Sequence, residues 1–352
     1  MDTALRPSVV IWDITYACPL RCIHCYSESG RRPTRQLAAD DLLRVAGALI
    51  SLRPAEVALA GGEPLLVPGM MAAAERISAA GIQVSVYTSG WTLRPEQVEE
   101  LAGVFTRIHV SVDGATAPVH DGIRGRTGSF ERAMNALDFL DDAAELRRAE
   151  KGSPIAFGVD WVAVRSNFHE IERFCTDIAP RFRNLAFAGF GAAVPSGLAS
   201  RQSFADRELL SDAQASLLKH VDFTAHLRSL LPDSVRMTTT DNRMLQMRPD
   251  QVERGEVMPG LQVEPDGEVR AMPIYEGTVG NILTENPYDL WARSVARWSH
   301  PVVTEALSGA YSMQEWAQAA RRIDYHFGSA AVRARIDARP DLQEGPTVGR
   351  LG

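Results

Sequence analysis

Cys18-Pro-Leu-Arg-Cys22-Ile-His-Cys25-Tyr26 follows directly on an apolar run at 9–14, and it holds three of the four cysteines of the chain. Four cysteines among 352 residues make no disulfide framework. Thiols crowded in this way on one loop read as metal ligands. Spaced CxxxCxxC, three thiolates can hold three irons of a 4Fe–4S cube, which ordinarily takes four Cys. With no fourth ligand nearby, one iron stays open to an exogenous chelator. The competing structural reading is a zinc site with His24 or a remote residue as fourth ligand. Zinc generally draws paired CxxC spacings from two separate segments, and this chain has no second pair.

Outward from the loop, short apolar or β-branched runs at 9–14, 57–60, 84–88, 108–112, 155–164 and 185–190 alternate with stretches of helical period at 38–52, 69–80, 95–102, 129–144 and 168–178. Strand, helix, strand repeated with apolar strands predicts an α/β fold, a parallel sheet covered by helices. Six such units joined by right-handed crossovers can curve into an open barrel, although periodicity does not separate that from a flat doubly wound sheet. The polar signals sit just after the strands, where parallel α/β folds place their chemistry. After about residue 199 the alternation gives way to polar helix-like sequence. Val263-Glu-Pro265-Asp266-Gly267-Glu-Val269 then reads as a hairpin turning at Asp266–Gly267. Residues 312–336 read as helical, and the Gly- and Pro-rich end as a mobile tail.

Composition excludes several classes. Hydrophobic residues make up 45% and charged residues 23%, enough apolar mass for a large core. The net charge is −7 and no dense Lys/Arg run occurs, which argues against nucleic acid or an anionic membrane as the main partner. No apolar stretch reaches the ~20 residues needed to span a bilayer. Met1 to Arg6 lacks the order of a signal peptide, so a cytoplasmic protein is expected.

The cysteine segment resembles the signature of the radical S-adenosylmethionine (radical SAM) superfamily, whose triad follows the first strand and precedes an aromatic residue. The resemblance implies one 4Fe–4S cluster on Cys18, Cys22 and Cys25, with S-adenosylmethionine chelated on the open iron and cleaved by one electron to methionine and a 5′-deoxyadenosyl radical. It implies Tyr26 near the adenine. Gly61-Gly62-Glu63-Pro64 is similar to the family's GGEP element, which contacts the methionyl ammonium; Thr88-Ser89-Gly90 stands where relatives carry Thr-Asn-Gly. Ser111-Val-Asp113-Gly114 followed by Arg124-Gly125 resembles the SLDG…RG region, with Ser111 and Asp113 at the cofactor and Arg124 pairing with its carboxylate. Each element alone is a common turn, but together, in order, after successive strands, they are specific over roughly residues 8–200.

Leu261 to Val269, with Gly280-Asn281-Ile282 and Leu290-Trp291, is similar to the SPASM or twitch extension of the same superfamily. Relatives place cluster cysteines around this hairpin; here the positions fall near Gly260 and at Met272, and a thioether is a poor iron ligand. The expected division is therefore a partial (β/α)6 barrel over 1–205, a connecting helical segment over 206–255, a degenerate SPASM/twitch hairpin and helix over 256–300, and a C-terminal helix with its tail over 301–352.

Phe168, Ile171, Phe174, Cys175 and Ile178 share one helical face, so Cys175 is expected as a core thiol. Trp161 and Tyr275 are candidates for the substrate cavity, with core packing the plainer reading of the Trp. His24 is read as tuning the cluster, lining the cofactor pocket or stabilising the loop by a hydrogen bond, and Arg31, Arg32 and Arg35 as a solvated loop, with attraction of an anionic substrate the alternative. With no auxiliary cluster and no substrate-side thiol, the expected reaction is hydrogen abstraction followed by fragmentation, elimination, rearrangement or decarboxylation, with oxidation by electron return to the main cluster left open. The substrate expected is a small polar natural-product intermediate, a sugar or nucleoside, as for cytosylglucuronate decarboxylase. Peptide modification, thiol-dependent epimerisation and an iron–sulfur sensor or electron carrier are the alternatives. A flavodoxin- or ferredoxin-type electron donor is the implied partner.

Overall fold

Two faces with different chemistry are written into each strand of this chain. The computed structural model describes residues 6–151 and 155–342. The strands are β1 (Val9–Thr15), β2 (Glu56–Gly61), β3 (Gln83–Thr88), β4 (Arg107–Ser111), β5 (Phe157–Ala163) and β6 (Phe187–Ala192). On one face of each, Val10, Trp12, Ile14, Leu59, Val86, Val110, Val159, Trp161 and Phe190 are buried in a single core. The opposite phase carries Asp13, Thr15, Ala58, Ser85, Tyr87, His109, Ser111, Asp160 and Gly189. Period-two alternation places the first set under the helices and the second on the interior of the curved sheet.

The helices between strands are α1 (Ala39–Leu52), α2 (Met70–Ala79), α3 (Pro95–Val104), α4 (Ala117–Arg124) and α5 (Ser129–Lys151). In α1, Leu42, Val45, Ala46, Leu49 and Leu52 recur at helical spacing and are all buried, while Arg53 in a left-handed conformation ends the helix. Each such Leu or Val is worth roughly 1.5–3 kcal/mol on full burial.

β1 to β6 run parallel in chain order, and the sheet does not stop there. Its order is β10-β9-β8-β1-β2-β3-β4-β5-β6-β7. β7 (Arg236–Thr240) pairs parallel to β6, inside the segment expected to be a helical connection. Its sequence, Arg-Met-Thr-Thr-Thr, shows no apolar alternation because it is an edge strand with little to bury. β8 (Gly260–Val263) pairs parallel to β1, and β9 (Glu268–Arg270) and β10 (Thr278–Asn281) follow antiparallel. The expected hairpin therefore exists, but as a continuation of the barrel sheet rather than a region apart. The expected helix at 168–178 is also different: 3-10, α, π and 3-10 turns succeed one another from Phe168 to Arg181. Pro180 has no N–H to continue a helical ladder. Cys175 lies in the π turn, fully buried beside Phe174, whose ring packs on Trp161 and Phe190 on the helix-covered face.

Gly260 and Met272 are both buried, and the hairpin they flank carries a cage of charges. Arg270, with no exposed surface, pairs with Glu264 at 2.7 Å and Glu276 at 3.4 Å. Arg335, on the helix Ala330–Asp337, reaches Glu276 at 2.8 Å, and Arg339 just beyond that helix reaches Glu28 at 2.8 Å. Arg32, expected in solvent, is also drawn in; it lies over the Tyr16 ring at 3.9 Å and near Glu264 at 3.6 Å. Arg35 remains partly exposed against Asp266, and Arg31 donates to the Arg21 carbonyl at 2.6 Å. Tyr275 is buried and accepts from Trp316 at 2.7 Å, so it belongs to this packing. The Gly- and Pro-rich tail expected beyond residue 342 lies outside the described residues.

Asp324, on the helix Met313–Phe327, is buried and accepts from the Glu276 amide at 2.8 Å. Burial first, then the Glu276 charge, push its pKa from 3.8 up to about 7. The folded-state value lies above the unfolded one, so this group's stabilisation is fully present below about pH 4 and is lost as pH rises through about 7. Asp324→Asn should therefore raise Tm more at pH 8 than at pH 5, in thermal denaturation at the two pH values; an equal change at both would contradict it.

Candidate cluster and cofactor site

The cysteine loop has little regular structure of its own, and other elements hold it by its backbone. Gly62 donates to the Thr15 carbonyl at 2.7 Å and Glu63 to that of Ala17 at 2.9 Å. Arg21 donates to the Arg124 carbonyl at 3.0 Å, Ile23 to that of Ile123 at 2.9 Å, and Leu198 to that of Cys25 at 3.0 Å. Approach is so close that a Cβ on Gly62 would collide with the Ala17 carbonyl, and one on Gly125 with that of Arg21. Gly125 also closes α4 at φ +66°. The glycine of the GGEP element is thus required first by the loop itself.

Three thiols line this loop and are partly buried. Burial pushes Cys18 up to about 12 and Cys22 up to about 11, with the Arg124 guanidinium opposing the shift at Cys22. Such thiols ionise poorly alone and are brought to thiolate by the charge of bound iron. Arg124 Nη1 lies 3.8 Å from Cys22 Sγ and would offset that thiolate. Among the described residues no three His, Cys, Asp or Glu side chains converge as a single-ion site requires. A cube gives each thiolate its own iron, so the donor set fits the cluster better than zinc.

Asp113, fully buried, joins the loop to the sheet. Its Oδ2 accepts from His24 Nε2 at 2.8 Å and lies 2.7 Å from Arg124 Nε, while Oδ1 accepts from the Val162 amide of β5 at 2.8 Å. Arg124 lowers the Asp113 pKa and His24 adds to it, against a desolvation effect that is larger than either alone. Asp113, expected at the cofactor, is held by these protein groups, and Arg124, expected on the methionyl carboxylate, lies against Asp113 and Cys22. Of the roles open to His24, the hydrogen bond that stabilises the loop is present.

Glu63 is likewise internal. Thr88 Oγ1 donates to Oε1 at 2.8 Å, and the Ser89 amide and hydroxyl donate to Oε2 at 2.9 and 2.5 Å. Thr88 and Ser89, expected at the cofactor, therefore hold Glu63. Gly61 takes φ +106° beside β1. Tyr26 donates to Asp13 Oδ1 at 2.6 Å, and Gln262 Nε2 donates to Oδ2 at 2.8 Å. Burial raises Asp13 to about 6. Ser111 ends β4 on the interior face, register partner to Asp160 of β5. Asp13, His109 and Asp160 escaped notice in the sequence. Their signal was there, as polar residues in phase with one another inside apolar strand runs.

An open, mainly parallel α/β barrel with a three-thiol loop above its first strand defines the class. Residues 12–144 match the family model described as the radical SAM superfamily, so the chain carries a radical SAM domain. Members of that superfamily use a 4Fe–4S cluster and S-adenosylmethionine. AdoMet-dependent heme synthase of Methanosarcina barkeri is 37% identical over 140 residues, 39% of this chain and 40% of that protein. The mycofactocin maturase MftC of Mycobacterium tuberculosis is 32% identical over 177 residues, 50% of this chain and 42% of that protein. The match thus spans about two fifths of the length of these two relatives. PqqA peptide cyclase of Ruegeria pomeroyi is 25% identical over 353 aligned positions, 99% of this chain and 88% of that protein. Streptococcus suis SuiB, solved with S-adenosylmethionine bound, shares the fold at TM-score 0.63 and 13% identity, over 85% of this chain and 67% of that one.

Removing the Asp113 charge leaves Arg124 and His24 buried without their counter-ion. Asp113→Asn should cost about 3–5 kcal/mol in denaturant unfolding, the range for breaking a buried pair, and lower the iron retained after reconstitution. Glu63→Ala should cost about 1–3 kcal/mol through the unpaired Thr88 and Ser89 donors. It should also weaken S-adenosylmethionine binding in equilibrium dialysis, while the cluster spectrum persists.

Proposed function

We propose that this chain is a radical SAM enzyme that modifies a peptide. The cluster would be held by Cys18, Cys22 and Cys25, and with S-adenosylmethionine bound it supplies a carbon radical able to abstract hydrogen from an unactivated position. Around it the chain's own residues would orient and shield. Arg124 offsets thiolate charge at Cys22, the Thr88–Ser89 clamp holds Glu63 for the methionyl ammonium, and Tyr26 is fixed on Asp13. Ser111 is placed on the interior face to meet the cofactor's polar groups.

The observation that carries the peptide reading is the likeness to PqqA peptide cyclase, because it extends over 99% of the chain. The heme synthase likeness, at higher identity, is confined to 39% of the chain and says less about the substrate. The maturase MftC supports the same direction as the cyclase. A sugar or nucleoside decarboxylation, expected from the missing auxiliary cysteines, has no support among these relatives. Thiol-dependent epimerisation is disfavoured, since the only thiol outside the loop, Cys175, is packed on the far face of the sheet. A flavodoxin- or ferredoxin-type donor is proposed as the source of the electron.

Anaerobic reconstitution should give about four irons per chain, one cube, and the reduced protein should form 5′-deoxyadenosine from S-adenosylmethionine. Ala at Cys18, Cys22 or Cys25 should abolish both, whereas Cys175→Ser should leave 5′-deoxyadenosine formation unchanged. Wild-type cleavage in all three loop variants would refute the assignment. The short-peptide fraction of a lysate of the source cell, rather than its small-metabolite fraction, should stimulate the reaction.

A further inference from the structure

The sheet ends at β10 on one side and at β7 on the other, and the two borders are finished differently. At β10, side chains take the backbone groups. Arg293, on the helix Pro287–Trp298, donates to the Val279 carbonyl at 2.5 Å, and the Asn281 amide donates to Glu285 at 2.9 Å. Arg293 and Glu285 are themselves paired at 2.5 Å. Gly280, at φ +138°, lies where the register of β10 against β9 shifts. A charged clip on an irregular strand keeps a further strand from adding there.

β7 carries none of these devices. It has no proline, and its pairing with β6 runs without a shift from Arg236 to Thr240. The Arg236 amide donates to the Ala186 carbonyl at 2.9 Å, so by strand alternation the backbone groups of Arg236, Thr238 and Thr240 point to β6. Those of Met237 and Thr239 point away from the sheet, and no hydrogen bond takes them among the described residues. Neither residue is buried. On the helix-covered face Thr239 Oγ1 lies 3.2 Å from Thr224 Oγ1 of the helix Val221–Leu230, which steadies the strand from that face. Two N–H and two C=O groups thus face outward along one border of the barrel.

Resting on the peptide reading above, we propose that an extended peptide substrate adds to the β7 border as a further strand, with an acidic residue beside Arg236. Outward amides and carbonyls on a regular strand recognise another extended backbone, whatever its side chains. β7 runs parallel to β6, so Thr240 ends on the side of the sheet from which the cysteine loop leaves β1. Thr238 is in register with Gly189, on the interior phase. A residue paired opposite Thr238 would therefore turn its side chain to the barrel interior, and its two neighbours would turn theirs away. That continuity with the cofactor side favours a substrate over a partner held for assembly. Arg236 is exposed at the start of the strand and forms no ion pair among the described residues. A second copy of the chain would bring a further Arg236 to this border, whereas an acidic peptide neutralises the one present.

The test uses the anaerobically reconstituted holoprotein with S-adenosylmethionine and a mixture of acetylated, amidated heptapeptides, each carrying one Glu or one Lys. Retained peptides are identified by ultrafiltration and mass spectrometry. Wild type should retain a subset drawn from the Glu peptides. Thr239→Pro removes an outward N–H and no bond to β6, a position at which a strand tolerates proline. It should lower retention about tenfold, a loss of about 1.4 kcal/mol, with the cluster spectrum and S-adenosylmethionine affinity as in wild type. Arg236→Glu should turn the preference from Glu to Lys peptides. A retained peptide remade with N-methyl groups on alternate residues should lose binding in one phase and keep it in the other, a readout that needs no variant to fold. Retention by none, or retention that neither Thr239→Pro nor either N-methyl phase alters, would overturn the docking edge. So would a wild-type dimer in sedimentation that Thr239→Pro dissolves, which assigns the border to a second copy. Retention insensitive to the edge leaves the peptide reading standing, whereas 5′-deoxyadenosine formation stimulated by small metabolites alone removes that reading and the docking edge with it.

Discussion

The buried carboxylate of Asp113 is the constraint on which the site depends. Through two oxygens it binds a strand amide, the loop histidine and the arginine that faces Cys22. Taking such a charge out of water is costly unless every lone pair is used. Here β4, β5, α4 and the cysteine loop all bring partners to one point. None of the four can shift alone without exposing an uncompensated charge in a dry interior. A loop with almost no regular structure therefore has one position relative to the barrel, and three thiols are presented from a fixed frame.

The same logic governs Glu63 and Asp13. Each lies on the interior side with no exposed surface, and each accepts from donors on a neighbouring strand and on a loop. The polar interior is thus a preorganised shell, held before any ligand arrives. On the opposite face, the tryptophans and aliphatics supply the stabilisation that makes this arrangement tolerable. Strand alternation separates the two tasks, with burial on one side and polar placement on the other.

Much of this was legible in the sequence, and the failures have physical causes. The alternation of apolar runs and helical stretches led to a parallel α/β sheet, because apolar strands and amphipathic helices have distinct periods, and the family resemblance carried by the cysteine spacing and the strand-end motifs led from there to the open barrel. β7 could not be seen, since an edge strand buries too little to alternate. The attachment of β8 beside β1 was invisible because pairing between residues some 250 positions apart leaves no local mark. The helix-like face around Cys175 had the right burial but the wrong regularity, since Pro180 and a π turn interrupt it. Side-chain partners were not legible: motif residues such as Asp113, Thr88 and Ser89 are bound to other protein groups, and a sequence shows that a residue is polar without showing what it faces. His109 and Asp160 become a pair only when two strands 51 residues apart are laid side by side.

The bond between Arg339 and Glu28 joins the cysteine loop to a residue 311 positions later. During synthesis the loop emerges early, whereas its clamp at Arg339 follows Glu28 by 311 residues, and β8, which covers the open edge of β1, follows that strand by some 250. At ordinary elongation rates of about 5–20 residues per second, that leaves the loop incompletely held for some tens of seconds. Three reduced thiols are then exposed in a form that can be oxidised or can capture the wrong metal. The order of the chain thus delays the full clamping of the loop, with the helices Met313–Phe327 and Ala330–Asp337 acting as the closing piece of a frame whose thiols were made first.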